Sequence, residues 1–482
     1  MSDNASESND SSDTKKSQAA AFLENLREGV GVSSQERLTP DDVNQPMIRH
    51  WCDVMTDHNP VYVDAEFAAK SVHGGIVAPP SMLDSWMMVG LGARRARGSE
   101  SEGAVGMLSI LEKLDAAGFS SVVATNSSHE YRRYLRPGDR LRIRQSITSV
   151  SAEKKTALGL GHFFTTATEF IDQDGELVGR MEFTILKFKP GTGSMPASGD
   201  AGAALAPKQR PRPAISRDTQ FFWDGIDRGE LRIQQCQGCD ALHHPPMVRC
   251  PRCGGYDLGY LVSKGRGKVY SFAEVHHPQF PIFDYPLLVV LIELEEGTRI
   301  LSNLVGVSGD EVEIGMPVEL AIEATDPELN LPLFRRVRPA RRETTLHFED
   351  VKVGDRLPPC PLPITPTLIV GGAMASRDFQ DVHHDVELAK KRGSPNIFMN
   401  IMTSGGLTSR YVTDWAGPEA IFHNMKIRLG APNYPGDTMT FSGQVNAALV
   451  RDGKGIVEVA IRGANRFGDH VSGTLELELP RR

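Results

Sequence analysis

The sequence predicts an α+β protein: two units, each a helix wrapped by antiparallel sheet, flank a small β-rich module that carries a cysteine cluster. Three observations lead there. One order of elements (an Asp-led polar motif, an apolar helix candidate, a Pro-Gly-Asp turn, then alternating strands) occurs towards both ends of the 482-residue chain. Between the two copies, four of the six cysteines fall within 18 residues. Compositional breaks separate the three blocks.

Residues 1–18, rich in Ser, Asp, Asn and Lys, hold too little apolar surface to offset the entropy of ordering, so a disordered tail is expected. From Pro190 to about Pro213, Gly, Pro, Ala and Ser replace any hydrophobic period, which marks 191–216 as a linker. The Arg-dense segment Arg335–Arg342, interrupted by Pro339, is a third break. The blocks are then 19–190, 217–335 and 343–482, the middle one divided into a cysteine-bearing part over 217–258 and a strand-rich part over 259–335.

The repeat is read from matching landmarks. Asp57-His-Asn-Pro-Val-Tyr-Val-Asp64 in the first copy corresponds to Asp378-Phe-Gln-Asp-Val-His-His-Asp385 in the second. Helix candidates follow over Ser81–Gly92 and Asn400–Trp415, then the turns Pro137-Gly138-Asp139 and Pro435-Gly436-Asp437. Leu141, Ile143 and Ser146, and later Val457, Val459 and Ile461, lie in segments with the alternation of half-buried strands.

Acidic residues exceed basic ones 61 to 53, and a net charge of −8 gives no support to binding nucleic acid or an anionic membrane through bulk charge. No apolar run approaches the roughly 20 residues a bilayer requires, and the polar start lacks a secretory signal's apolar core. A soluble, cytoplasmic protein is expected.

Cys236-x2-Cys239 and Cys250-x2-Cys253 have the spacing of two knuckles holding one tetrahedral zinc ion. A redox dithiol ordinarily uses one such pair. Four protein ligands leave no open coordination position, so the metal is expected to be structural. His243 and His244, beside Pro245 and Pro246, are assigned to turn packing. Beyond them, Gly265–Phe272, Leu287–Leu294 and Pro317–Ile322 read as strands of a small barrel. Barrels of this kind often bind single-stranded nucleic acid, but Glu293–Glu328 holds ten acidic residues against Arg299 alone, which favours a protein partner.

At the Asp-led motifs the outer blocks resemble hotdog-fold, MaoC-type (R)-specific enoyl-CoA hydratases, whose signature is D-x-N-P-x-H-x-D. The second copy keeps its chemical skeleton as Asp378, His383 and Asp385, with Gln380 and Asp381 in place of Asn and Pro. The first copy keeps Asp57, Asn59, Pro60 and Asp64 but has Tyr62 where the His belongs. Hydrating a double bond conjugated to a thioester requires a group that polarises water and returns a proton to the α-carbon. An imidazole does this near neutrality; a phenol does it poorly. Spacing alone leaves a plainer alternative open, with Asp378 capping a turn and His383 an ordinary surface histidine.

The resemblance implies that Asp378 and His383 hold the catalytic water, and that a backbone N–H at the start of the central helix, at Asn400, meets the developing enolate oxygen. The first copy aligns Pro79 there, which has no N–H. Two losses make the first copy a degenerate one, kept to accommodate a bulky acyl group. Thr403, Ser404, Gly405 and Gly406 thin out the active-copy helix, either for a large ligand or for close packing. The middle block resembles the zinc-ribbon plus OB-fold domain that accompanies thiolase-like enzymes.

The order hotdog, ribbon plus OB, hotdog resembles a fusion of the two subunits of bacterial steroid side-chain enoyl-CoA hydratases. This implies a CoA thioester as substrate, structural zinc, no redox cofactor, and a thiolase-like aldolase docked on the OB domain. The Arg-rich joint is expected to be a solvated connector, with contact to CoA phosphates as the alternative. The two hotdogs are expected to pair within one chain and the chains to form a homodimer inside a larger aldolase complex. Two other functions stay open: hydration of ordinary fatty enoyl-CoA, and a silent scaffold for an aldolase.

Overall fold

The computed structural model describes residues 7–91, 107–193, 211–283, 285–307, 309–326 and 329–482. They fall into two units: residues 1–202 with 340–358 and 363–482, and residues 203–339 with 359–362.

In the first unit, each copy opens with the same local device. Asn44 caps the helix Gln45–Met55 by accepting the Met47 N–H at 3.0 Å, and the helix buries Ile48, Trp51, Cys52 and Met55, one stripe at helical spacing. It stops at Thr56, which turns left-handed with φ 49°. In the second copy Thr365 caps Pro366–Ala375 by accepting the Leu368 N–H at 3.0 Å, and the left-handed residue is Arg377 with φ 58°. Both left-handed residues immediately precede the Asp of the polar motif, so the backbone throws Asp57 and Asp378 into equivalent positions. Asp64 and Asp385 then cap the short helices Ala65–Lys70 and Val386–Lys391.

The copies differ at the central helix. The second forms a full helix, Ile401–Ala416, capped by Asn400 and buried on almost every side. Of the expected Ser81–Gly92 helix, Gly92 lies outside the described residues, and the described part begins instead as a 3-10 segment, Pro80–Met87. Pro79 and Pro80 supply no N–H donors at its start, and Pro79 makes no side-chain cap there. A second helix, Met107–Ala116, follows beyond the undescribed stretch.

An eleven-stranded sheet runs through both copies. Its centre is the antiparallel pairing of Ser121–Tyr131 with Ile421–Leu429, in a register that sets Glu130 opposite Asn424 and Ser127 opposite Ile427. The expected pairing of hotdogs within one chain is therefore observed. Both Pro-Gly-Asp turns use their glycine left-handed, Gly138 at φ 97° and Gly436 at φ 88°, and bury the aspartate that follows.

The expected tail is altered: residues 1–6 lie outside the described residues, and Glu7–Arg27 is a helix. Ala19, Ala20 and Ala21 favour that conformation, and Leu26 and Phe22 anchor it, Phe22 stacking 6.4 Å from Phe119. Of the expected linker, 194–210 lies outside the described residues.

In the second unit, Arg232–Cys236 is the middle strand of a three-stranded sheet with Leu242–His243 and Leu258–Val262. The expected small barrel is closed and five-stranded, built from Arg266–Val275, Leu287–Leu294, Arg299–Val305, Pro317–Asp326 and Leu329–Arg336. The last strand runs into the Arg-rich joint, and Arg335 bonds Glu319 at 2.9 Å. That part of the joint is therefore barrel, not free connector. The helix Gln220–Asp227, unforeseen from sequence, packs Phe222 and Ile226 into this core.

Candidate active site and metal centre

The structure brings Asp378, His383 and Asn400 together. His383 ends a 3-10 turn, Asp381–His383, and its buried ring presents Nε2 to Asp378 Oδ2 at 3.4 Å. On the far side of the ring, Nδ1 lies 2.7 Å from the Phe398 carbonyl oxygen. A carbonyl only accepts, so Nδ1 carries a hydrogen, and in its neutral form the ring presents a lone pair at Nε2. Two acceptors, the imidazole nitrogen and the carboxylate oxygen, then face each other. A water placed between them donates one hydrogen to each and keeps its own lone pairs free for attack.

Asn400 does more than sequence reasoning assigned to it. Its Oδ1 accepts the Thr403 N–H at 2.9 Å as the cap of the central helix, while its Nδ2 donates to Asp378 Oδ2 at 3.1 Å and to Ser376 Oγ at 3.0 Å. One side chain thus starts the helix and orients the carboxylate. Its backbone N–H has no acceptor among the described residues and stands at the positive end of a helix of 16 residues. Behind it, Ser404 Oγ lies 2.8 Å from His470 Nε2, and His470 Nδ1 lies 2.7 Å from the Ala431 carbonyl oxygen. Burial pulls the His470 imidazole down to about 4, so it stays neutral and accepts from the serine hydroxyl.

The adjacent glycines serve packing. A Cβ on Gly406 would meet Trp51 at 2.7 Å and Met55 Sδ at 3.1 Å, while one on Gly405 would rest 3.4 Å from Met425. The close approach is of the central helix Ile401–Ala416 to the first copy's helix, and no large ligand is required to explain it.

The corresponding place in the first copy has different chemistry. Tyr62 is buried, and burial holds its phenol well above the usual range. Burial, followed by the nearby Asp414, pushes the Asp57 carboxyl up to about 6. Arg410, from the second copy's central helix, donates to the Met55 carbonyl and the Thr56 hydroxyl, and Asn59 Nδ2 donates to the Pro418 carbonyl at 3.1 Å. These groups tie the first motif to the second copy.

Cys236, Cys239, Cys250 and Cys253 place their four sulfurs within 4.8 Å of one another, and two pairs lie 3.6 Å apart. Sulfurs bound at about 2.3 Å to one tetrahedral ion stand about 3.8 Å apart, so these residues fit zinc. His243, expected only to pack a turn, reaches Cys250 Sγ with Nε2 at 3.3 Å, an outer contact to a sulfur ligand.

Comparison with known proteins extends these observations. The chain matches the models of a FAS1-like dehydratase domain region over 29–181 and a MaoC-like domain over 352–464. Models of the ChsH2 rubredoxin-like zinc ribbon and the ChsH2 C-terminal OB-fold domain match 223–258 and 261–323. A probable enoyl-CoA hydratase alpha subunit of Thermomonospora curvata is 43% identical over 66% of this chain and 97% of its own length. The chain belongs to the MaoC-type hotdog hydratase family. It fuses hotdog domains of that family to a ChsH2-type zinc-ribbon and OB-fold domain. The two subunits of a 3-oxo-4,17-pregnadiene-20-carboxyl-CoA hydratase of Mycobacterium tuberculosis also match this MaoC-type chain. The alpha subunit is 42% identical over 59% of this chain and 88% of its own length. The beta subunit is 52% identical over 26% of this chain and 95% of its own length. Among the described residues, no helix is long and apolar enough to cross a membrane.

Proposed function

We propose that the chain is an enoyl-CoA hydratase that adds water to the α,β-double bond of a steroid side-chain CoA thioester, with Asp378 and His383 as the acid–base pair. The observation that carries the reading is His383 Nε2 at 3.4 Å from Asp378 Oδ2, with Nδ1 held by the Phe398 carbonyl. The pair takes one proton from the held water as its oxygen bonds to the β-carbon, and returns one proton to the α-carbon. The Asn400 N–H meets the thioester oxygen as negative charge develops there. The first copy, without the imidazole and with Pro79 at the donor position, holds the acyl group and does no proton chemistry. Zinc at Cys236, Cys239, Cys250 and Cys253 supplies folding energy to the middle module.

Similarity to both subunits of one pregnadiene carboxyl-CoA hydratase supports the steroid substrate. The resemblance of the ribbon and OB fold to modules that accompany thiolase-like enzymes supports delivery of the hydroxyacyl-CoA to a thiolase-like aldolase. Turnover of a steroid enoyl-CoA against crotonyl-CoA by the purified chain tests the reading. A preference for the steroid thioester that disappears in His383→Ala upholds it, and a preference for crotonyl-CoA overturns the steroid assignment.

A further inference from the structure

A second buried polar cluster lies in the first copy, where no proton chemistry is assigned. Asp84 is on the 3-10 segment, and His129 and Tyr131 are on the strand at the centre of the sheet. Each is more than nine-tenths buried. Asp84 Oδ1, His129 Nε2 and Tyr131 OH are all without a hydrogen-bond partner among the described residues, as is Trp86 Nε1 on the same 3-10 segment. Leaving one such group dry is costly, so several together call for an occupant.

The groups belong to one place. His129 Nε2 stands 3.8 Å from Asp84 Oδ2, too far for a hydrogen bond, and the His129 and Tyr131 rings stack with centroids 5.8 Å apart. Asp84 is close enough to Tyr131 to reinforce what burial does to its phenol, which is held well above its usual range and so remains a donor. The cluster also faces the catalytic helix. His129 is directly opposite Met425 in the central strand pair, so the two share a face, and Met425 is the residue a side chain on Gly405 would touch. The 3-10 segment that carries Asp84 packs on Ile401–Ala416 as well.

We propose that Asp84, His129 and Tyr131 bind a ring hydroxyl on the substrate's acyl group. The inference rests on the proposed steroid thioester and adds that its fused rings are hydroxylated. A hydroxyl can donate to the Asp84 carboxylate while accepting from the Tyr131 phenol, so one group would give both a partner. A ketone only accepts, and would leave the carboxylate without a donor in an apolar surrounding.

The test uses the full chain and a series of steroid enoyl-CoA thioesters alike except for the ring substituent: hydroxyl at successive ring positions, ketone, or hydrogen. The expected result is one hydroxyl position favoured at least tenfold in kcat/KM over its ketone and deoxy counterparts. In Tyr131→Phe and in Asp84→Asn that ratio falls to near one. Tyr131→Phe removes only an unpartnered oxygen, and its melting temperature, expected unchanged or raised, shows that it is folded. Equal turnover of all members, a preference for the ketone, or a hydroxyl preference that survives both substitutions overturns the inference and leaves the hydratase reading standing. Failure to hydrate any fused-ring member while crotonyl-CoA is hydrated overturns the steroid reading itself, and this inference with it.

Discussion

His383 Nε2 stands 3.4 Å from Asp378 Oδ2, and the hydrogen on Nδ1, committed to the Phe398 carbonyl, leaves Nε2 of the neutral ring an acceptor. Two acceptors at this separation are stabilised by a shared donor, and a water molecule is the donor that hydration requires.

Replacing either partner should therefore remove the reaction and spare the fold. His383→Ala and Asp378→Asn are each expected to lower kcat by about 10²–10⁴-fold, read from the loss of enoyl-thioester absorbance, with circular dichroism unchanged. His383→Ala with activity within about twofold of wild type would sink the site assignment.

Asn400 lets its two roles be separated. Asn400→Ser retains a capping oxygen but loses the Nδ2 bond that orients Asp378, so kcat should fall while the melting temperature hardly moves. Asn400→Ala loses both and should in addition cost about 1 kcal/mol of stability. Equal kcat in wild type and the serine variant would show that the Asn400–Asp378 bond does nothing for turnover.

The buried Asp57 gives a pH signature. Its carboxyl is raised from the usual 3.8 to about 6, so the folded state holds the proton more tightly than the unfolded chain does. That contribution is fully present below pH 4 and is lost as pH rises through about 6. Asp57→Asn, which keeps an oxygen for the Asn59 N–H, should be more stable than wild type above pH 6, by on the order of 2–3 kcal/mol at most, and should lose that advantage near pH 4. Denaturant titrations at the two pH values decide it, and an advantage that is the same at both would be inconsistent with a raised carboxyl.

The adjacent glycines should answer differently to alanine. Gly405→Ala meets Met425 at ordinary contact distance and gains helix propensity, so it should be neutral or stabilising by up to about 1 kcal/mol. Gly406→Ala drives a methyl towards Trp51 and should cost about 1–3 kcal/mol. Thermal melts of the two variants measured side by side check the contrast.

Removing zinc with a chelator, or substituting Cys236→Ser, should melt the ribbon before hydration suffers. Limited proteolysis within 217–258 should appear while enoyl-CoA turnover persists.

What the sequence made legible was carried by short-range spacing. The two C-x2-C knuckles, the paired Asp-led motifs and the repeated Pro-Gly-Asp turns each lie within a few residues of chain, and the structure gathers the first and duplicates the others. What escaped depended on contacts across the chain. The Asn400 side-chain role is invisible in the sequence because its Nδ2 partner, Asp378, lies 22 residues away. The Asp84, His129 and Tyr131 cluster joins a 3-10 segment to a strand with no local pattern to announce it. The apolar composition of Ser81–Gly92 favours a helix, but Pro79 and Pro80 leave its start without donors and a 3-10 segment forms there.

The antiparallel seam between Ser121–Tyr131 and Ile421–Leu429 joins two copies that are also covalently one chain. In a two-subunit counterpart, the two copies would meet only as often as concentration allows. Here that encounter is intramolecular, its effective concentration set by the tether, so specific activity should stay constant on dilution and neither half can be made in excess of the other.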